Sequence, residues 1–86
     1  MPGKEDTMKK FFFIIDDATK ARAAIFEKKL PSETTEEDAK KEARNDWERL
    51  TSAEQKERDT FYLIRAEEDA DGVIDWNSAE VVYTIK

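Results

Sequence analysis

The sequence predicts an α+β domain in which a three-stranded antiparallel sheet carries helices on one face, in the order β-α-α-α-β-β. Three observations predict this architecture. Residues 11–15 form a dense apolar run, and residues 39–50 carry an apolar stripe at helical spacing. Residues 61–66 and 79–85 are typical of strands, and the turn signal Asp71-Gly72 lies between them.

The first predicted strand covers residues 11–15, where three phenylalanines precede two isoleucines. Every position is apolar, so both faces of this strand need cover, and we expect it inside the sheet rather than at its edge. Asp16-Asp17 then offers an N-cap for a helix over residues 18–29. That helix is expected to end at Leu30-Pro31, because the residue before a proline is pushed out of the α region.

Two further helices are predicted after a short loop. Thr35 precedes three acidic residues, which suit the first turn of a helix. Apolar residues then recur at spacings of four, four and three: Ala39, Ala43, Trp47 and Leu50. Thr51 and Glu54 form a capping-box signature, which predicts a short surface helix over residues 53–59.

Residues 61–86 predict a β-hairpin with an irregular acidic tip, because an Asp-Gly pair is a strong turn signal. Alternation along the strands places Leu63 on the same side as Arg65, and Val82 on the same side as Glu80. We expect the sides that carry these charges to face outward. Leu63, Val82 and one face of the first strand would then lie exposed together.

An exposed apolar patch of a few hundred Å² usually marks an interface. The predicted patch therefore indicates contact with a partner or with a second copy of the chain. The alternative is that Trp76 and the hairpin tip fold back and cover the patch. The residues proposed to contact a partner are Leu63, Arg65, Trp76, Val82, Glu67 and Glu68.

The composition excludes several kinds of chemistry. The chain has no cysteine and no histidine, which removes thiol nucleophiles, the usual general base near neutral pH and the commonest zinc ligands. The net charge is −6, with −4 in residues 31–60, −4 in residues 61–86 and +2 in residues 1–30. Such a surface repels the phosphates of a nucleic acid and attracts a basic protein. We therefore expect no direct nucleic-acid binding and no cofactor.

Residues 8–15 resemble the start of a signal peptide, yet only five apolar residues precede Asp16-Asp17. The hydrophobic part of a signal peptide needs roughly 7–15 apolar residues, and a membrane span needs roughly 20. We therefore predict a cytoplasmic protein without membrane contact. Residues 1–7 are expected to form a disordered leader, and residues 8–86 a single domain.

The acidic hairpin tip imitates part of a calcium-binding loop. With Gly72 at position 6 of an EF-hand loop, Glu67, Asp69 and Asp71 fall at positions 1, 3 and 5. Position 12 is then Ser78, which cannot supply the bidentate carboxylate, and the flanking segments are predicted strands rather than helices. We expect a solvated acidic turn without calcium affinity at micromolar concentrations.

Adjacent carboxylates occur three times, but in exposed, charge-rich stretches: Asp16-Asp17, Glu36-Glu37 and Glu67-Glu68. Acid–base catalysis needs two carboxyl groups in different environments within a cleft, so these pairs indicate caps and solvated faces. Trp47 belongs to the helical stripe and is assigned to the core. Trp76 lies near the acidic tip, where it is either a packed lid over the sheet edge or an anchor for a partner.

Two resemblances to known families bear on function. Trp47-x-x-Leu50-Thr51-x-x-Glu54 followed by Phe61 resembles the last two helices of an HMG box, but HMG boxes are basic and lack a C-terminal hairpin. The segments DWERLT (46–51), RDTFY (58–62) and EDADGVIDW (68–76) resemble small proteins of unknown function in gut Firmicutes and their mobile elements. That group implies no activity, although small acidic proteins of such elements include inhibitors of host defence nucleases.

These observations predict a non-catalytic protein-interaction module of a mobile or accessory genetic element. The alternative is an acidic inhibitor of a host defence nuclease, an anti-CRISPR-like mimic of nucleic acid. A protein partner, basic in character, is expected in either case, and a homodimer is a further outcome of the predicted patch.

Overall fold

The structure is a computed structural model that describes residues 9–86, so the predicted leader and the first residue of the predicted domain lie outside the described residues. The elements, in chain order, are β1 (Lys10–Asp17), a 3₁₀ turn (Thr19–Ala21), β2 (Phe26–Lys29), α1 (Glu36–Glu48), α2 (Ser52–Glu57), β3 (Thr60–Glu68) and β4 (Ile74–Thr84). Within this part of the chain, no helix is long and apolar enough to cross a membrane.

The sheet has four strands in the order β2-β1-β3-β4, and every neighbouring pair is antiparallel. The predicted three-stranded sheet and the order β-α-α-α-β-β are therefore wrong. β1, the β3–β4 hairpin, α1 and α2 are present, but the predicted helix over residues 18–29 is replaced by a 3₁₀ turn and a fourth strand.

Local and tertiary contacts explain why residues 18–29 do not form a helix. The Asp17 carboxylate accepts a hydrogen bond from the Thr19 amide at 3.1 Å, but the turn that follows ends at Arg22, whose φ of 60° is left-handed. β2 then returns along β1, and Lys28 Nζ binds Glu42 at 2.6 Å and Asp46 at 3.0 Å on α1. Helix propensity is a weak preference that such contacts override.

One face of the sheet packs against α1. Its core combines residues of β1, β3 and α1 with the residue after β2: Phe12, Ile14, Phe61, Leu63, Ala39, Ala43 and Leu30. The caps predicted at Thr35 and Thr51 are confirmed, since Thr35 Oγ1 accepts from the Asp38 amide and Thr51 forms a capping box with Glu54. Small alanines at the contact allow α1 to approach the sheet closely, and this fixes Trp47 against the same core.

The opposite face of the sheet is buried as well. Phe13, Ile15, Ile64, Ala66 and Ile74 form a second cluster, in which no helical residue of the described chain takes part. At its margin, Lys29 Nζ lies 4.0 Å from the centroid of the Phe11 ring and 2.9 Å from a carboxylate oxygen of Glu68.

The predicted assignment of faces is therefore wrong. Leu63 is 0% exposed and faces α1, while Ile64 on the other side is 1% exposed. Val82 is half-buried against the core beneath α1, so the predicted exposed patch does not exist. Arg65 does share the side of Leu63, but it lies opposite Phe12, nearer the end of the sheet, where its guanidinium reaches Glu80. A charged residue near a sheet end thus indicates little about the centre of the same face.

The ion cluster between β2 and α1 predicts a pH dependence of stability. Hydrogen bonding to Glu42 raises the pKa of Lys28, and the same bond lowers the pKa of Glu42. Because the pKa of Glu42 is lower in the folded state, its contribution to stability is present above the pKa of the unfolded state. That contribution is lost as the pH falls through the pKa of the folded state. Because the pKa of Lys28 is higher in the folded state, its contribution is present below the unfolded-state pKa and is lost as the pH rises through the folded-state pKa.

We therefore expect acid to lower the melting temperature of the wild type more steeply than that of Lys28→Met, between about pH 6 and pH 3. Thermal melts followed by circular dichroism at stepped pH measure this difference. Lys56→Met is the matched control, because Lys56 is exposed on α2. Identical slopes for the wild type and Lys28→Met would show that the Lys28 contacts contribute nothing to the pH dependence.

Candidate functional site

The outer edge of β4 carries large apolar side chains that face solvent. Trp76 is 49% exposed, and Val73 and Val81 are 56% and 60% exposed. β4 is the last strand of the sheet, with no neighbour on its outer side among residues 9–86. Exposed tryptophan is uncommon in a chain this polar, and tryptophan is enriched among residues that dominate binding energy.

A bulge in β4 positions Trp76. The register passes from Arg65–Glu80 to Glu67–Asp75, so residues 76–79 of β4 stand opposite Ala66 alone. Within the bulge, the Asp75 carboxylate accepts from the Asn77 amide at 3.1 Å. Bulges bend a strand and redirect its side chains, and they are common next to functional sites.

Ser78 ties this bulge to β3. Its hydroxyl donates to the Asp75 carbonyl at 2.8 Å and accepts from the Glu67 amide at 2.8 Å. The serine thereby satisfies a β3 amide that the displaced strand leaves without a ladder partner. The bulge is thus a hydrogen-bonded structure that holds the backbone on both sides of Trp76 and Asn77.

The surroundings of Trp76 are acidic. No basic residue occurs between Arg65 and Lys86, whereas six acidic residues do. Two of the six are in ion pairs, Glu80 with Arg65 at 3.2 Å and Glu68 with Lys29 at 2.9 Å, so the negative charge of this region lies mainly on Glu67, Asp69, Asp71 and Asp75. This edge therefore combines an aromatic anchor with negative charge, a combination that suits a basic partner.

The structure separates the residues that the sequence predicted as one partner-binding set. Leu63 is in the core, Val82 is half-buried against it, and Glu68 is engaged by Lys29. Arg65 and Glu67 lie on β3 opposite Glu80 and Asp75, on either side of the bulge.

Trp76 alone of the predicted set is exposed to solvent. Val73 and Val81, which share its strand or the turn before it, were missed by the sequence reasoning. Strict alternation predicts that Val81 and Tyr83 share a side, but a register shift between Leu63 and Ile64 interrupts the alternation between them.

The hairpin tip uses its acidic residues to build a turn. One carboxylate oxygen of Asp69 accepts from the amides of Asp71 at 2.8 Å and Val73 at 3.0 Å, and Gly72 adopts a φ of +81°. Across residues 9–86, no group of three or more acidic side chains is placed to hold a metal ion. Of the adjacent pairs Glu36-Glu37 and Glu67-Glu68, one glutamate each is in an ion pair, Glu36 with Lys40 and Glu68 with Lys29.

Apart from the β4 edge, a cleft with mostly basic side chains lies between α1 and β4. It has a volume of ≈ 270 Å³ and is lined by Glu37, Lys40, Lys41, Arg44, Asn45 and Tyr83. Arg44 donates a hydrogen bond to the Tyr83 hydroxyl, and its guanidinium lies 5.7 Å from the centroid of the Tyr83 ring. The arginine therefore anchors the end of β4 to the helix.

Comparisons with protein-family models, with curated proteins and with solved structures found no match to this chain. The fold and the site define a class of small protein in which one main helix packs on an antiparallel sheet. An aromatic residue is exposed on an acidic edge of that sheet. The β4 edge is therefore the candidate functional site.

Proposed function

We propose that this chain is a non-catalytic protein-interaction module, and that it binds a basic protein through the Trp76 edge of β4. The observation that carries the proposal is the 49% exposure of Trp76 on a hydrogen-bonded bulge. A rigid backbone lowers the entropic cost of ordering the site on binding. Acidic residues around an apolar anchor would accelerate encounter with a basic surface and favour it over an acidic one.

The resemblance of residues 46–51, 58–62 and 68–76 to small proteins of mobile elements supports a role for the module in an accessory genetic element. One of these segments bears directly on the proposed site, since residues 68–76 include the hairpin tip and Trp76. On this proposal the partner is a basic protein of the host or of the element.

Quantitative capture of host proteins on immobilised wild type and Trp76→Ala tests the proposal. Truncation of a tryptophan hot spot costs about 2 kcal/mol or more, so we expect at least a thirtyfold loss of affinity for the captured basic protein. Capture should also weaken as salt is raised, because exposed charges are screened.

The matched control is Ile25→Ala, since Ile25 is 53% exposed but lies just before β2, at the opposite edge of the sheet. It is expected to capture the partner as the wild type does. Equal capture by Trp76→Ala and the wild type would remove Trp76 as the anchor. A captured partner of acidic character would contradict the role given to the charges.

A further inference from the structure

Among residues 9–86, the outer edge of β2 has no strand partner, and the register of the β1–β2 pair gives the direction of its backbone groups. The Leu30 amide donates to the Phe12 carbonyl at 2.9 Å, in the same register that pairs Lys28 with Ile14. In an antiparallel pair, hydrogen-bonded residues alternate along the strand. Lys28 therefore points its backbone groups at β1, and Glu27 and Lys29 point theirs away from the sheet. No strand among residues 9–86 lies on that outer side of β2.

Charge selects how a second strand would pair there. Suppose that the new strand is β2 of a second copy, related by a two-fold axis perpendicular to the sheet. The residues whose backbone groups point away from β1, Glu27 and Lys29, must then lie opposite these same residues of the second copy, so that the two strands can exchange hydrogen bonds. Three registers do this: Glu27 opposite Glu27, Lys29 opposite Lys29, or Glu27 opposite Lys29. Only the last places opposite charges together, and it does so twice across the axis. It also brings the two Lys28 residues together on the axis, where each is already bound to Glu42 and Asp46 of its own copy.

Phe26 supplies the apolar part of the same interface. It is 60% exposed on the α1 side of β2, and in the charge-matched register it lies directly opposite Leu30 of the second copy. Leu30 and Pro31 form the apolar part of a cleft of ≈ 450 Å³ between the end of β2 and α1. Its other lining residues are polar or charged: Lys28, Lys29, Glu33, Thr34, Asp38 and Glu42. Each phenylalanine ring would lie against the apolar part of the cleft of the other copy.

The pairing cannot extend beyond the end of β2. Pro31 has no amide hydrogen, so the ladder cannot extend past Leu30. β2 is short and contains two lysines, which are features that usually protect a sheet edge against pairing. Against this, Phe26 is exposed on the strand, and Glu27 and Lys29 are complementary to the same residues of a reversed copy. Lys29, which already binds Glu68, has protons left for Glu27 of the second copy.

We propose that two copies of this chain pair antiparallel through β2, with Lys28 on the two-fold axis, and that their sheets join into one. This inference is independent of the Trp76 edge, which would lie at the two far ends of the joined sheet. Trp76→Ala is therefore expected to leave the dimer unchanged, so failure of one proposal does not imply failure of the other.

Single cysteines test the register, because the chain has none of its own. The two copies of residue 28 form a non-hydrogen-bonded pair in this register, with Cα atoms about 4.5 Å apart, which suits a disulfide. Under mild oxidation we expect Lys28→Cys to cross-link at least tenfold faster than Glu27→Cys, Lys29→Cys or the far-edge control Val81→Cys. Faster cross-linking of Glu27→Cys or Lys29→Cys, or rates no higher than that of Val81→Cys, would overturn the register.

Sedimentation equilibrium tests the dimer without changing Lys28, whose loss also removes contacts to α1. The wild type is expected to be a reversible dimer, and Phe26→Glu to raise the dissociation constant at least tenfold. Val81→Glu is the matched control, because Val81 is also 60% exposed but lies on the other edge strand. A wild type that stays monomeric to about 100 μM, or equal effects of the two glutamates, would overturn the proposal.

Discussion

Leu63→Glu and Ile64→Glu are each expected to leave the chain unfolded at 25 °C. The two residues are neighbours on β3 and point to opposite faces, yet they are 0% and 1% exposed. An unpaired carboxylate in either place loses its hydration without gaining a partner, at a cost of several kcal/mol. At about 0.05–0.15 kcal/mol per residue, a chain of 86 residues has only about 4–13 kcal/mol of stability to lose.

Far-ultraviolet circular dichroism and urea titration measure this outcome. Val81→Glu is the control, because Val81 lies in the same hairpin but its side chain is exposed. Its melting temperature should equal that of the wild type. A folded Leu63→Glu would contradict the packing of β3 against α1. A folded Ile64→Glu beside an unfolded Leu63→Glu would show that the face away from α1 is open to solvent.

The elements that sequence reasoning found correctly depend on local signals. Thr35 and the Thr51–Glu54 pair mark the starts of α1 and α2, and the Asp-Gly tip marks the turn between β3 and β4. Caps and turns form from residues within four positions of one another, so the sequence contains their whole cause. The apolar run of β1 likewise predicted a strand buried on both faces, and the structure places it between β2 and β3.

What the sequence did not predict depends on distant contacts. Residues 26–29 contain one phenylalanine and three charges, and nothing local favours a strand over a helix. The strand is selected by the pairing with β1 and by the binding of Lys28 to Glu42 and Asp46, fourteen and eighteen residues further along the chain. Missing β2 also hid the edge on which Phe26 is exposed.

The error over the faces of the hairpin has a related cause. Alternation gives the relative side of each residue but does not say which side a helix will cover. The charged Arg65 suggested solvent, whereas α1 covers the centre of that face and Arg65 lies nearer its end. Register shifts between Arg65 and Glu67 and between Leu63 and Ile64 also interrupt the alternation along β4, so alternation alone could not give the exposure of its side chains.

Phe61→Ala is expected to destabilise the chain by about 3–5 kcal/mol, the range for removal of a buried phenylalanine ring. Phe61 is 2% exposed at the start of β3, and its ring centroid lies 5.2 Å from that of Trp47 at an interplanar angle of 58°. A tilted aromatic pair of this kind adds about 0.5–1.5 kcal/mol to the burial itself. The loss is a large part of the whole stability of so short a chain.

The change isolates the side chain, because the backbone of Phe61 keeps its own role. Its amide donates to the Lys86 carbonyl, and its carbonyl accepts from the amides of Ile85 and Lys86, each at 2.9 Å. Alanine can make all three bonds. The expected destabilisation is therefore a packing effect of the cavity left between α1 and β3, and the C-terminal residues should remain paired with β3 in the fraction that stays folded.

Urea unfolding in a Trp76→Phe background measures this prediction, since Trp47 is then the sole tryptophan and its emission reports the contact directly. Phe26→Ala is the matched control: the same substitution at a ring that is 60% exposed should cost less than about 0.5 kcal/mol in the monomer. In the native baseline of Phe61→Ala, the Trp47 emission should shift to longer wavelength, because water gains access to the vacated volume. Equal urea midpoints for Phe61→Ala and Phe26→Ala would mean that Phe61 does not hold α1 against the sheet and does not belong to the core beneath the helix.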